Sequence, residues 1–302
     1  MWFLFALLTT LAWGCADLFY KKGSDADDKL SHLKVSVMVG LVMGIHGIGY
    51  MLFNEVSFNL MDMIKYLPVS ALYISSMVIG YFGLRYLELS ISSPVQNSSG
   101  AITAILLVIL FPQSVHWLTI AGLVLITGGV IGLGVLEKRA QTAILKADNV
   151  SVDPKYQIGV LAITFPILYA IFDALGTLAD GIYLDELKLM SADAALLAYE
   201  FTWFIVAIVC FIYIKFVKKQ RFNVLKEPVR ATAAILETAG QFFYVFAMTG
   251  NAVISAPLIA SYSIVSVILS RIFLKEKLNK QQYLVITIVM IGIAILGFAE
   301  EL

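Results

Sequence analysis

Residues 91–117 read ISSPVQNSSGAITAILLVILFPQSVHW, and residues 254–280 read ISAPLIASYSIVSVILSRIFLKEKLNK. The two segments align without a gap at an offset of 163 residues, which places Pro94 opposite Pro257. Further along, the same offset places Gly129 opposite Gly292. The sequence therefore predicts that the chain is an internal duplication.

The composition predicts an integral membrane protein. Of the 302 residues, 60% are hydrophobic and only 14% are charged, and the mean hydropathy is +0.88. A soluble domain has about a quarter of its residues charged. The 21 basic and 21 acidic residues leave no net charge, so we expect no nucleic-acid partner.

Ten apolar runs are long enough to cross a bilayer as helices, since about 20 residues span the hydrocarbon layer. Unbroken runs of this length predict helices and not the alternating pattern of a membrane barrel. The ten predicted spans cover residues 2–20, 33–53, 68–87, 90–111, 116–136, 157–179, 193–214, 230–249, 252–274 and 281–299.

Basic residues are concentrated in every second loop, where 19 of the 21 Lys and Arg residues lie. Loops rich in Lys and Arg stay on the cytoplasmic side, so both termini are predicted to be extracytoplasmic. Because each half has five spans, the second half would enter the membrane in the opposite sense. This explains why FLKEKLN, at residues 273–279, keeps its charges while the equivalent LFPQSVH, at residues 110–116, has none.

The predicted fold is thus an all-α integral membrane protein of ten transmembrane helices, arranged as two inverted five-helix repeats. We expect the first repeat at residues 1–140, a cytoplasmic linker at 141–156 and the second repeat at 157–302. The predicted location is the cell membrane, meaning the plasma or inner membrane, as a multi-pass protein.

Short motifs carry a resemblance to a known family. Ser92-Ser93-Pro94 and Ser255-Ala256-Pro257 open the fourth and ninth spans, Lys275-Glu276-Lys277 forms a charged turn before the last span, and Trp13-Gly14 lies in the first. With ten spans as five plus five, this resembles the EamA-like branch of the drug/metabolite transporter superfamily. The resemblance implies membrane transport and favours export. Two features depart from the pattern: Gln113 replaces the usual glutamate, and many relatives have cytoplasmic termini.

Two carboxylates lie deep in apolar runs, and charges at such depth are functional candidates by default. Glu200 and Glu237 are each about 12 Å into their spans at 1.5 Å per residue. Glu237 begins a stripe with Gln241 and Tyr244 at helical spacing, and Trp203 flanks Glu200. We expect these side chains to line a substrate or coupling cavity, with a helix–helix hydrogen bond as the alternative for the two acids.

Three further ionisable residues are candidates for the site, and two of them have an alternative interpretation. Asp17 follows Trp13 by four residues, as Asp173 follows Tyr169, and the two acids are candidates for the cavity together with Trp13. For Asp17 the alternative is an ion pair at the membrane interface with Lys21, one helical turn away. His46 could relay protons or serve as a hydrogen-bonded packing residue.

The starts of spans four and nine carry polar residues beside proline. Pro94 and Pro257 predict a helix break, because proline leaves a carbonyl without its helical partner. Gln96, Asn97 and Tyr262 are candidates for contact with a polar metabolite, and helix–helix contact is the alternative use of the neighbouring serines.

These observations predict a secondary active transporter of a small polar or amphipathic metabolite, working by alternating access between inverted repeats. The deep carboxylates suggest proton coupling or a cationic group on the substrate. No catalytic, metal or cofactor motif is visible, so we expect no enzyme activity and no cofactor. A non-transporting receptor or assembly subunit, and an intramembrane enzyme, are the alternatives. The partners would be a small molecule, the lipid bilayer and protons, with the chain a monomer or a homodimer.

Overall fold

A computed structural model describes residues 1–25, 27–112, 115–147, 159–276 and 279–300. Within these ranges the secondary structure is helical and no residue lies in a β-strand. The helices of the first part of the chain are α1 (Trp2–Gly23), α2 (Ser31–Phe53), α3 (Leu60–Gly83), α4 (Leu89–Gln96), α5 (Ser99–Leu110) and α6 (Trp117–Ala147).

The second part contains five α-helices and several tighter or wider turns. The helices are α7 (Gly159–Gly181), α8 (Ala192–Ile212), α9 (Pro228–Ala260), α10 (Tyr262–Leu269) and α11 (Lys280–Glu300). Turns of π-helix cover Ile182–Glu186, Tyr213–Val217 and Ser270–Leu274, and a 3₁₀ turn covers Val224–Lys226.

The bounds of α3 and α6 are extended most beyond the predicted ones, because polar ends of these helices are also helical. α3 begins at Leu60 and not at residue 68, since the Asn59 side chain caps its first turn by accepting from the Met61 amide at 2.9 Å. α6 continues to Ala147, beyond the predicted end at residue 136. Its last eleven residues are rich in Ala, Glu, Lys, Arg and Gln, which are strong helix formers, so hydropathy alone misses them.

Seven helices of the described chain are long and apolar enough to cross a membrane. One of these segments, Pro228–Leu274, has 47 residues, and two shorter apolar helices cover Trp117–Gly132 and Lys280–Leu296. The long segment is not one straight helix, because Asn251 has an extended backbone with φ of −171° and ψ of 90°.

Two helices are interrupted in the middle of the bundle. The first interruption, at Asn97 and Ser98, separates α4 from α5, and the second, at Ser261, separates α9 from α10. Each serine follows a proline by four residues, and both prolines lie inside a helix before the interruption. The expected irregularity near Pro94 and Pro257 is therefore located one helical turn after each proline.

The remaining helices pack in pairs around the interrupted ones. α1 lies along α9, α3 along α7, α2 along α8, and α6 along α11. Glycines set the closest approaches, since a Cβ on Gly40 of α2 would overlap the carbonyl oxygen of Trp203 on α8. In the same way a Cβ on Gly129 of α6 would overlap Val289 of α11.

We predict that Gly40→Ala lowers the free energy of unfolding by about 1–3 kcal/mol, because the added methyl group forces α2 and α8 apart. Gly49→Ala in the same helix is the matched control, since a Cβ there has no neighbour within 4 Å. The control should be neutral or slightly stabilising, because alanine favours helix over glycine. Thermal unfolding of the two purified variants checks this, and equal stability would show that the two helices are not tightly packed.

Candidate functional site

A cavity lies between the interrupted helices and the helices that surround them. The cavity has a volume of about 60 Å³. The cavity is therefore narrow in this conformation. Nine of the residues singled out from the sequence line it: Trp13, Asp17, Gln96, Asn97, Asp173, Glu237, Gln241, Tyr244 and Tyr262.

The Asp17 carboxylate links three helices at one end of the cavity. Ser93 of α4 and Ser266 of α10 each donate a hydroxyl hydrogen bond to its Oδ2 at 2.7 Å. Asp17 itself is only 8% exposed. The structure thus gives the Asp17 carboxylate hydroxyl partners inside the bundle, while Lys21 donates to the carbonyl oxygens of Leu84 and Leu87 at 2.7 and 2.5 Å.

Two more carboxylates face the same cavity. Ser99 at the start of α5 donates to Asp173 Oδ2 at 2.6 Å, and Tyr20 donates to Glu237 Oε2 at 3.2 Å. Trp13 Nε1 donates to the Glu237 backbone carbonyl oxygen at 3.2 Å, which ties the indole of α1 to α9. Each acid is thus held by a neutral donor from another helix, the arrangement that an acceptor needs when water is scarce.

Aromatic rings make up much of the remaining wall. Trp13 stacks on Tyr244 at 5.2 Å between ring centroids and meets Tyr262 edge-on at 5.8 Å. Tyr20 and Tyr81 lie 4.6 Å apart. The full aromatic lining consists of Trp13, Tyr20, Tyr73, Tyr81, Tyr169, Tyr199, Tyr244 and Tyr262. Three of these rings, Trp13, Tyr244 and Tyr262, are among the site residues predicted from the sequence.

Asp180 extends the polar face of α7 beyond the cavity lining. It is fully buried and accepts a hydrogen bond from Tyr66 of α3. Next to this pair, Tyr73 contacts both Tyr244 and Thr177. Asp180 lies one residue beyond the predicted span 157–179, and that predicted end is too early, because α7 continues to Gly181. The spacing of four and three residues from Asp173 through Thr177 to Asp180 is the signal that could have placed it on the same helix face.

Glu200 and His46 form a separate pair between α8 and α2. His46 Nδ1 lies 2.8 Å from Glu200 Oε1 and 3.0 Å from Oε2, and the Glu200 side chain is fully buried. Tyr50 donates to Asp193 at 2.6 Å nearer the end of the same two helices. Glu200, His46 and Trp203 are absent from the cavity lining, so the structure does not bring Glu200 and Glu237 together.

Carboxylates also cap two helical segments that lead to the interruptions. One segment is α4, and the other is the part of α9 that follows the non-helical Asn251. Glu276, in the turn after α10, accepts from the backbone amides of Leu89 at 3.4 Å and Ser90 at 3.2 Å. Asp185, in the turn after α7, accepts from the amide of Ala252 at 2.8 Å. Ala252 is the residue that the offset of 163 pairs with Leu89, so the two capped positions are equivalent. Gln113, the counterpart of Glu276, lies outside the described residues.

Comparison with known proteins identifies the family. The model of the EamA-like transporter family matches residues 1–135 and 161–298. The chain therefore belongs to this family, which is part of the drug/metabolite transporter superfamily, and the resemblance found in the sequence is confirmed. The family and the apolar helices make it a multi-pass membrane protein of transporter type.

Solved structures share the fold. One crystal structure, whose description says only that it is of a protein, is 13% identical and aligns with 97% of this chain and 95% of its own. Its TM-score of 0.66 shows a common fold, and so low an identity shows nothing more. A comparison with curated protein sequences finds no match.

We predict that His46→Leu lowers the free energy of unfolding by about 1–3 kcal/mol, because it leaves the buried Glu200 carboxyl without its hydrogen-bond partner. The double variant His46→Leu, Glu200→Leu should regain most of this loss, since neither polar group then remains. Thermal unfolding of wild type, both single variants and the double variant measures the interaction energy. Additive effects would contradict the pairing.

Proposed function

We propose that the protein is a secondary active transporter, most simply an exporter, that moves a small polar or amphipathic metabolite by alternating access between two inverted five-helix repeats. The observation that carries the proposal is the narrow polar cavity at the centre of the bundle. Ionisable groups in a membrane protein are retained where they face a cavity or a partner. Here three of them face one cavity formed by helices of both halves.

The helix pairs support a two-fold relation between the halves. If α1 corresponds to α7 and α3 to the first part of α9, exchange of the halves turns the α1–α9 pair into the α7–α3 pair. The α2–α8 and α6–α11 pairs are each exchanged into themselves, and the structure contains all four. Opposite entry of the two halves into the membrane then follows from their odd number of spans.

Individual contacts repeat with the same exchange. A Cβ on Gly129 would meet Val289, and a Cβ on Gly292 would meet Ile126 at 3.0 Å. Ile126 and Val289 are themselves 163 residues apart, as the two glycines are. The helix interruptions at Ser98 and Ser261 have this separation too. The same offset of 163 residues thus relates both the packing contacts and the helix interruptions of the two halves. A shared pattern of hydropathy alone would not explain this agreement.

Ten crossings account for the observed helices. A straight helix of 47 residues would be about 70 Å long, more than twice the hydrocarbon thickness. We therefore count Pro228–Leu274 as two crossings divided at Asn251. With the two shorter apolar helices this gives ten spans, and the basic loops would then lie on the cytoplasmic side.

The narrow cavity supports alternating access, because a metabolite can enter only if the helices separate on one side. The two carboxylate caps are suited to control this movement. Glu276 ties the second half to the start of α4, and Asp185 ties the turn after α7 to the start of the second interrupted helix. By the proposed topology these caps lie at opposite membrane faces. The sequence has no nucleotide-binding motif, so the energy would come from a gradient, with protons as the coupling ion.

We predict that Glu276→Ala and Asp185→Ala shift the access equilibrium in opposite directions. Loss of one cap costs about 1 kcal/mol, which is roughly a fivefold change in the ratio of inward-open to outward-open molecules. A cysteine at Gln241, with Cys15 and Cys210 replaced by Ser, can be labelled with an impermeant maleimide in inside-out and right-side-out vesicles. Glu276→Ala should speed labelling from the cytoplasmic side, and Asp185→Ala from the other. A shift in the same direction for both would contradict the face-specific role.

We predict that Glu237→Gln lowers flux into proteoliposomes or changes its pH dependence, since the carboxylate lines the cavity and can exchange a proton there. Glu200→Gln should alter the pH dependence less, because its carboxyl is bonded to His46 away from the cavity. Flux along an imposed pH gradient, at matched amounts of folded protein, measures both effects. If the pH dependence of flux is unchanged in both variants, neither carboxylate couples transport to protons.

A further inference from the structure

The ionisable side chains that line the central cavity are all acidic. Its ionisable acids are Asp17, Asp173 and Glu237, and no Lys, Arg or His is among the described residues that line it. The nearest cationic side chain in sequence is Lys21, in the last turn of α1, and it donates to the carbonyl oxygens of Leu84 and Leu87. A carboxylate brought into this cavity by a ligand would therefore meet three acids and no positive partner.

Each of the three acids keeps one oxygen for a ligand. The hydrogen bonds from serine and tyrosine reach Asp17 Oδ2, Asp173 Oδ2 and Glu237 Oε2. Within the described chain, no hydrogen bond reaches the second oxygen of these three carboxylates. An ionised carboxylate can only accept hydrogen bonds, so the groups it can bind are N–H or O–H donors and cations.

The aromatic walls attract the same kind of ligand. The face of a tryptophan or tyrosine ring carries negative potential and binds ammonium groups, most strongly where water is excluded. The largest of these rings is Trp13, which stacks on Tyr244, meets Tyr262 edge-on and donates to the Glu237 backbone carbonyl oxygen. Rings and carboxylates thus surround one narrow space, and both favour positive charge.

We infer that the cavity binds organic ammonium cations that lack a carboxylate group, in preference to amino acids and organic anions. This rests on the proposed function only in taking the cavity as the substrate site. The ammonium group would lie among the three free carboxylate oxygens, and its apolar part would pack on the aromatic walls. A zwitterion of the same shape would add the one group that nothing in the cavity can neutralise.

Three compounds with the same ring and a closely matched chain separate the charge classes. These are phenethylamine, phenylalanine and 3-phenylpropionate, with trimethyl(2-phenylethyl)ammonium as a second cation that cannot lose its charge. Titration calorimetry of the purified full-length protein at neutral pH should show both cations binding at least about tenfold more tightly than the other two compounds, as expected for loss of a charge-assisted interaction. Equal or tighter binding of phenylalanine or 3-phenylpropionate, or no binding of either cation, would overturn the inference.

Variants test whether the cavity acids are responsible. Glu237→Gln and Asp173→Asn should each weaken cation binding at least about tenfold. Asp193→Asn is the matched control, because Asp193 bonds Tyr50 outside the cavity and its change should leave the affinity unaltered. Thermal unfolding of each variant confirms that it is folded. Wild-type affinity in both cavity variants would overturn the assignment.

Flux measurements separate this inference from the proposed function. Proteoliposomes should take up the labelled quaternary cation, which does not cross a bilayer as a neutral base. Tight cation binding without any flux would support the binding class and contradict transport. Flux of phenylalanine but not of the cation would support transport and overturn the inferred class.

Discussion

The structure depends on the close approach of two interrupted helices at the centre of the bundle. A Cβ on Gly100 of α5 would lie 2.8 Å from the carbonyl oxygen of Ala256 and 3.1 Å from Cα of Pro257 in α9. Lipid offers no hydrogen bonds, so backbone that departs from the helix is tolerated only inside the protein or along a cavity. The interruptions at Ser98 and Ser261 satisfy this constraint, because they lie in the bundle interior beside the cavity. The small residues at the crossing leave the space in which the acids and rings converge.

Hydroxyl groups then connect the interrupted helices to the carboxylates of their neighbours. Asp17 of α1 is held from both α4 and α10, whereas Asp173 of α7 is held from α5. Asp17 and Asp173 lie in helices that the proposed two-fold relation exchanges, so the two halves use the same kind of contact. Such bonds are weak enough to break during a conformational change, at about 0.5–1.5 kcal/mol each for neutral donors and somewhat more with a charged acceptor. Helices joined by such bonds can keep a defined packing and still move relative to one another.

Much of the helical fold could be predicted from the sequence, because a helix that crosses a membrane needs a long apolar run. The polar stripe from Glu237 through Gln241 to Tyr244 was found by its spacing, and the structure places it in the cavity. The spacing of residues does not show that Glu200 lies outside the cavity. Its neighbour Tyr199 lines the cavity, and adjacent residues on a helix point about 100° apart, so one position turns Glu200 towards His46 on α2. The face that a helix presents to its neighbours depends on packing, which periodicity alone does not give when the run is apolar all round.

The proposed inverted relation of the two halves places the cavity at their interface and the two caps at opposite membrane faces. The most direct test is the sidedness of the two chain ends, with an accessible tag at each terminus probed by an impermeant reagent in right-side-out vesicles. The account predicts that both tags react from outside without permeabilisation. Tags that react from opposite faces would mean an odd number of crossings, and the two-fold relation would then be wrong.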